Sequence, residues 1–261
     1  MKKYNFTNNK QCEKKLEALL YLLFETLMMA FIIIIFHNAI RNFGMGPLFI
    51  LIGSMQFFQV ILTSSVYNLY FDKYIFSPGS TVLFTATLYA VFLVFHTESL
   101  KKVRSMIYGL LLSNIAITLL AYISLQQIYL DNKSFNVQFV SNIFNYDTDI
   151  FLLGTCLLYI DSIILIILYE LMNYKFKKKH LFLKILIPTS LVCLFDSLVF
   201  YSLNYFSDEI YMDLIIGNVL GKQISVVFFS ISTYIYLNVI GKKSRSGNPK
   251  KIKDVLKIFS F

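Results

Sequence analysis

The feature that most constrains this chain is a series of apolar runs, each about 20 residues long. A helix of that length crosses the roughly 30 Å hydrocarbon core of a bilayer. Only 15% of the residues are charged, whereas a soluble domain typically has about 25%. The strict apolar and polar alternation of a membrane barrel is absent. The pattern predicts an all-α polytopic membrane protein, a bundle of six to seven transmembrane helices, with seven favoured and no removable signal peptide.

The breaks between the runs set the predicted spans. Gly44, Gly46 and Pro47 separate the first two runs. The sequence SPGS at 77–80 is typical of a turn at a helix N-terminus. The predicted spans are Leu19–Phe36, Pro47–Tyr67, Ser80–Phe95, Met106–Leu125, Ile150–Glu170, Leu181–Leu203 and Leu214–Ile240. The predicted regions are a polar amino-terminal segment at 1–18, a transmembrane domain at 19–240 and a basic amphipathic tail at 241–261.

The distribution of basic residues predicts the orientation. The third and fifth connections and the tail are the richest in Lys and Arg, which places them in the cytoplasm. Seven spans then put the amino terminus outside, despite the five lysines at 1–18. Either the stronger signals downstream overrule the first helix, or that helix does not span. We expect a multi-pass protein of the bacterial inner membrane with a cytoplasmic carboxyl terminus.

The formal net charge of +9 does not predict nucleic-acid binding, because the basic residues lie at helix ends and in the tail. Such residues set topology and bind anionic lipid head groups. In the tail, Ile252, Val255, Leu256 and Phe259 share one helical face. This pattern favours a short amphipathic helix on an anionic leaflet, and a docking helix for a protein partner is the alternative.

The first run contains Glu25, and each of the last three runs contains an ionisable residue well inside it: Asp161, Asp196 and Lys222. A charge at bilayer depth costs a few kcal/mol or more, so it is usually paired, buried and functional. At about 1.5 Å per residue, Asp196 and Lys222 fall at matching depth and can pair. Asp161 would then be neutral, or ionised only when a cationic ligand arrives.

Amides extend this constellation. Asn218 lies one turn from Lys222 on the same face, and Gln56 and Gln59 share a face of the second helix. Asn114 lies near the middle of the fourth. Together with the ionisable trio, these residues predict a small polar ligand held between helices, and aromatic residues such as Phe195, Tyr201 and Phe228 could stack on it. The alternative is that all of them are interhelical contacts with a structural role, worth about 1 kcal/mol each.

The sequence has no pattern that indicates catalysis or a cofactor. The three cysteines form no paired motif, and His37, His96 and His180 lie at predicted helix ends with no metal-ligand spacing. A metal site shared by these histidines is conceivable, and interfacial histidines are the favoured interpretation. We therefore expect a protein that is not an enzyme and has no cofactor and no metal.

Several stretches carry a family resemblance, among them GMGPLFILIGSMQFFQ, SPGSTVLFTATLYAVF, LYIDSIILIILYE, CLFDSLVFYS and GKQIS. They resemble the multi-pass input domain of some bacterial sensor kinases and diguanylate cyclases. That domain is in turn similar to the VUT family of vitamin uptake transporters, which includes queuosine-precursor carriers. The resemblance covers most of the chain from Gly44 to about Ile240. It implies a fold of six to seven helices that recognises a small molecule such as a modified nucleobase.

Two functions follow from these observations. The first is a VUT-type membrane protein that binds, and could carry, a small polar nitrogenous molecule. The second is a sensing or effector subunit that binds a ligand and signals to a separate protein, since the sensor relatives continue into a soluble domain and this sequence ends at Phe261. A scaffold with structural polar residues is a third option. The sequence leaves the ligand and the oligomeric state open.

Overall fold

The computed structural model describes residues 2–70, 73–130, 148–176 and 180–239. Within these ranges, seven helices are long and apolar enough to cross a membrane. The prediction of an all-α bundle with seven spans is therefore confirmed. The helices are α1 Lys2–Phe43, α2 Gly46–Ser65, α3 Phe84–Thr97, α4 Leu100–Leu130, α5 Thr148–Phe176, α6 Leu181–Asn204 and α7 Tyr211–Val239. The predicted tail at 241–261 lies outside the described residues, and the predicted domain boundaries stay predictions.

Six of the described helices form a ring around the third. Going round the ring, α1 packs against α2, α2 against α4, α4 against α5, α5 against α6, α6 against α7, and α7 against α1. The third helix contacts every one of them. Of the most apolar stretch of the third span, 94% is buried inside the protein, against 22% for each of the first two spans. The central span therefore meets protein on all sides, whereas the ring helices also face lipid.

The sequence of α3 suits a central position. It reads FTATLYAVFLVFHT and has apolar residues on all faces, which is typical of a helix without a lipid or water face. Small residues such as Ala86 and Ala90 are completely buried and allow neighbouring helices to approach closely. The hydroxyls of Thr85 and Thr87 bond to backbone carbonyls one turn earlier, at 2.6 Å and 3.0 Å, so they add no unsatisfied groups to the core.

The connection between α2 and α3 is more ordered than the loop that the sequence predicts. Strands β1 Asn68–Tyr70 and β2 Tyr74–Phe76 form an antiparallel hairpin in which Leu69 pairs with Ile75. A π-helical turn at Gly79–Leu83 then leads directly into α3. The hydroxyl of Ser77 donates to the carbonyl of Leu62 at 2.7 Å and so ties the start of this turn to α2. The turn matters for the site described below, because π-helical turns are frequent at functional positions.

Two glycines allow these elements to pack closely. A Cβ at Gly79 would lie 2.6 Å from the carbonyl oxygen of Gln59, and a Cβ at Gly217 would lie 2.7 Å from the backbone nitrogen of Ile75. Both contacts are with backbone, which cannot rotate away. The π turn is thereby held against α2, and the hairpin against α7.

We expect Gly217→Ala to destabilise the protein by about 1–3 kcal/mol, because the added methyl must displace the hairpin. Gly109→Ala is the matched control: Gly109 is also in a helix, and an added Cβ there meets no atom within 4 Å. Alanine at that position should be neutral or stabilising by up to about 1 kcal/mol. Thermal unfolding of both variants in detergent tests this. Equal melting temperatures would mean that the close approach at Gly217 has no energetic weight.

Candidate functional site

An ion pair between two neighbouring helices lies at the centre of the site. The ammonium of Lys222 on α7 donates to a carboxylate oxygen of Asp196 on α6. Both residues are buried, with 2% and 6% of their surface exposed. The Lys222 ammonium also lies 4.2 Å from the centre of the Phe84 ring, where the negative face of the aromatic system attracts a cation. The pairing that the sequence predicts from depth is therefore present, and α3 contributes a third contact to it.

One turn away, Asn218 joins three structural elements. Its side-chain oxygen accepts a hydrogen bond from the Ser197 hydroxyl on α6 at 2.9 Å. Its side-chain nitrogen donates to the Ser80 hydroxyl in the π turn at 2.6 Å and to the Tyr201 hydroxyl on α6 at 3.1 Å. Since Asn218 is fully buried, these bonds hold the π turn at a fixed position beside the ion pair.

The amides of α2 and α4 differ in how well they are bonded. The Gln56 nitrogen donates to the Thr87 hydroxyl on α3 at 2.9 Å and to the side-chain oxygen of Gln59 at 3.3 Å. On α4, Asn114 is 4% exposed, and its side-chain oxygen has no hydrogen-bond partner among the described residues. A buried amide oxygen without a partner is uncommon, and here it belongs to a residue that lines the cavity described next.

These residues surround one cavity of about 510 Å³. Small-molecule sites typically have about 300–1,000 Å³. The polar lining comprises Gln56, Gln59, Thr63, Ser64, Ser80, Asn114, Thr155, Asp196, Asn218 and Lys222. The aromatic lining comprises Tyr67, Phe84, Phe151, Phe200, Tyr201 and Tyr205.

The cavity reaches the surface at the end of the bundle that holds the hairpin. There Tyr67 and Ile210, which are 50% and 48% exposed, form part of its wall. Burial raises the pKa of the Tyr67 phenol, and Tyr205 raises it further. Tyr67 is thus neutral at physiological pH. The mouth is aromatic and uncharged, whereas the charged pair lies inside.

Six of the seven site residues expected from the sequence line this cavity, and Asp161 does not. Asp161 is fully buried, and no donor in the described part of the chain bonds to its carboxyl oxygens, which lie within hydrogen-bonding reach of the Asp196 carboxyl group. It does interact electrostatically with Asp196 and Lys222. The nearest cavity residue on its own helix is Leu158, one turn earlier. The expectation that Asp161 contacts the ligand directly is therefore not supported by this geometry, because Asp161 lies behind the ion pair.

Sequence reasoning also missed part of the site. Of the aromatic residues considered from the sequence, Tyr201 lines the cavity, whereas Phe195 and Phe228 do not. Phe195 is 39% exposed on the outer surface of the bundle. Phe84 and Ser80 were not predicted, although both belong to the SPGS segment and the start of α3. The turn signal there could have indicated that this segment approaches the site.

The other end of the bundle is closed by histidine hydrogen bonds. His37 on α1 is bonded to the Tyr236 hydroxyl on α7 and to the Thr97 hydroxyl on α3, both at 2.8 Å. His96 on α3 is bonded to the Tyr169 hydroxyl on α5 at 2.7 Å. His37 and His96 are thus buried between helices and hydrogen-bonded, while His180 is exposed at the start of α6; their expected position at the membrane interface stays a prediction. The last turn of α3 is thereby bonded to α1 and α5, and through His37 it is linked to α7.

We expect Asp196→Asn to destabilise the protein by about 3–5 kcal/mol, because it leaves a buried ammonium without its counter-charge. The double variant Asp196→Asn with Lys222→Met removes both charges and should be more stable than the single variant. Thermal unfolding in detergent measures the difference. Ser190→Ala is the control, since it breaks a neutral bond of 2.6 Å to Gln223 between the same two helices. If the single and double variants had the same melting temperature, the ion pair would have no stabilising role.

Comparison with known proteins gives one match. Residues 29–237 match the sequence profile described as vitamin uptake-like sensor, which covers most of the chain and all of the cavity residues. This confirms the resemblance to the VUT-related sensor domains that the sequence motifs indicate. Searches of curated proteins and of solved structures find no match.

Proposed function

The chain belongs to the vitamin uptake-like sensor family, and on that premise we propose that it is a membrane receptor for a small polar, nitrogenous molecule. The observation that carries this proposal is the cavity of about 510 Å³ with a buried ion pair in its wall. Charged residues inside a membrane protein are costly and rare, and they commonly mark the place where a polar molecule is recognised.

The chemistry of the lining fits a planar nitrogenous compound. Asp196 accepts hydrogen bonds from ligand N–H groups, Lys222 donates to a ligand carbonyl, and the Asn114 oxygen offers a free acceptor. Phe84 and Tyr201 provide aromatic faces on which a flat ring can stack. A nucleobase or a related heterocycle has all of these features.

Sensing is favoured over carriage by the family match to a sensor, and the closed end of the bundle is compatible with it. A carrier must open its site to each side of the membrane in turn. Here the bonds of His37 to Tyr236 and Thr97, and of His96 to Tyr169, hold the second end together beneath an apolar core. A receptor needs no such opening, because its ligand can enter and leave by the same mouth.

The remaining features of the proposal concern the surroundings of the receptor. We place it in the bacterial inner membrane with a cytoplasmic carboxyl terminus, on the distribution of Lys and Arg. The basic tail at 241–261 would contact anionic lipids, and the occupied receptor would signal to a separate effector protein. No catalytic step is part of this proposal, and an oligomer is compatible with it.

The test combines binding and uptake of labelled nucleobases by the purified protein in detergent and in liposomes. We expect wild-type protein to bind without flux, and Lys222→Met to lose binding. Gln223→Met is the matched control, because the adjacent Gln223 bonds to Ser190 and does not line the cavity. Saturable uptake that is lost in both Asp196→Asn and Lys222→Met would instead identify a carrier. Binding that is equal in all variants would overturn the assignment of the site.

A substitution at Asn114 should separate stability from binding. Asn114→Leu removes a buried acceptor that has no partner in the described structure, and it fills a similar volume with an apolar group. We expect the melting temperature to stay the same or to rise. The free energy of unfolding should increase by up to about 1–3 kcal/mol. Nucleobase affinity should fall, because the free acceptor is lost. A loss of stability without a loss of affinity would show that Asn114 has only a structural role.

A further inference from the structure

The charges buried at the site do not balance. Two carboxyl groups, Asp161 and Asp196, share one ammonium, that of Lys222. The hydrogen bond from Lys222 goes to Asp196, and no donor among the described residues bonds to Asp161, whose side chain instead meets the carboxyl group of Asp196. A fully buried carboxylate that no donor stabilises has a high desolvation cost, so such a group binds a proton or a cation.

We propose that Asp161 is a proton-binding site, and that a cationic ligand entering at Asp196 releases its proton. This inference rests on the proposed function and adds the charge of the ligand to it. The ligand class is an organic cation with a planar nitrogenous group, such as an amidine or a protonated heterocycle.

A proton fits this position better than a metal ion does. Hard cations such as Mg²⁺ and Ca²⁺ need about six or more oxygen ligands. The hydroxyl of the neighbouring Ser162 already donates to the backbone carbonyl of Leu158 at 2.8 Å. In the part of the chain that the structure describes, no group of three or more His, Cys, Asp or Glu side chains is placed to hold a metal.

The charged and titratable groups around Asp161 come from α6 and α7. Asp196 and Cys193 face it from α6, and Lys222 faces it from α7. The described ring contacts of α3 and α4 with α5 go to Tyr169, from Phe92, Phe95 and His96, and to Tyr159, from Tyr108, and none of them involves Asp161. The charges nearest to Asp161 are therefore those of the pair beside it, in a position closed to water.

The exchange conserves charge. Without ligand, Asp161 carries a proton and Asp196 is paired with Lys222, so the three groups together have no net charge. When a cation binds Asp196 from the cavity, the Lys222 ammonium becomes the counter-charge of Asp161. The O–H bond of Asp161 breaks, its proton passes to solution, and Lys222 keeps all of its protons. One positive charge enters and one leaves.

The first measurement is calorimetry of the full-length protein in detergent with benzamidine as a planar cationic probe and benzamide as its neutral isostere. Titration in two buffers of different ionisation heat counts the protons released. We expect about one proton per benzamidine bound, none for benzamide, and an affinity for benzamidine that rises about tenfold per pH unit near neutrality. Asp161→Asn should release no proton and should lose the pH dependence.

The second measurement examines the protein without ligand. Infrared spectroscopy should detect a protonated carboxylic acid that disappears in Asp161→Asn and is retained in Asp208→Asn, a change in an exposed loop. Asp161→Asn should melt near the wild-type temperature, because an amide replaces a neutral acid of the same shape. Absence of the infrared signal would overturn the proton site.

The outcomes separate this inference from the proposed function. If benzamidine binds to the wild-type protein but its binding releases no proton, the receptor stands and the proton exchange is wrong. If release is the same in wild type and Asp161→Asn, the proton comes from another group and the assignment is wrong. If neither benzamidine nor any nucleobase binds, the proposed function is wrong. The claim that a cationic ligand releases the proton of Asp161 is then wrong as well.

Discussion

The structure depends on the requirement that polar groups inside a membrane protein be satisfied by the protein itself. The buried pair of Asp196 and Lys222 meets this requirement at the point where it is hardest to meet, since water cannot stabilise either charge. Their attraction joins α6 to α7, and the ring of Phe84 adds a contact from the central helix. Around this pair, Asn218 supplies three hydrogen bonds that position the π turn. The packing of four elements thus follows from one electrostatic requirement.

The architecture explains how a site at one end of the bundle can affect the other. The third helix begins beside the cavity, where Phe84 touches the Lys222 ammonium, and ends at Thr97, which is bonded to His37. It is almost entirely buried and in contact with every described ring helix. A change in the position of Lys222 would act on the first turn of this helix. The physical route for a signal is therefore short and passes through packed side chains and not through loops.

Much of the fold could be predicted from the sequence because each membrane-spanning helix must cross the bilayer. The position of a residue along its helix then gives its depth in the membrane. Run length predicts the spans, and position along a run predicts depth, so the Asp196–Lys222 pair could be anticipated before any coordinates. The rotation of each helix about its axis is a different quantity and depends on packing against neighbours. That is why Asp161, at a suitable depth, lies behind the pair, and why Phe195 faces outward. The hairpin was missed because strands of three residues give almost no pattern, and the π turn because no residue preference marks it.

The enclosed position of the third helix has a consequence for biogenesis. Helices enter the bilayer in the order of synthesis, so α3 is made before four of the helices that surround it. Its final environment does not exist until α7 has been inserted, and Phe84 cannot contact Lys222 before then. The helices inserted first must therefore lie in the lipid in a provisional arrangement. The ring around α3 is completed only after the last helix has been inserted. The cavity is thus a product of the last stage of assembly, and a ligand can bind only to molecules that have completed it.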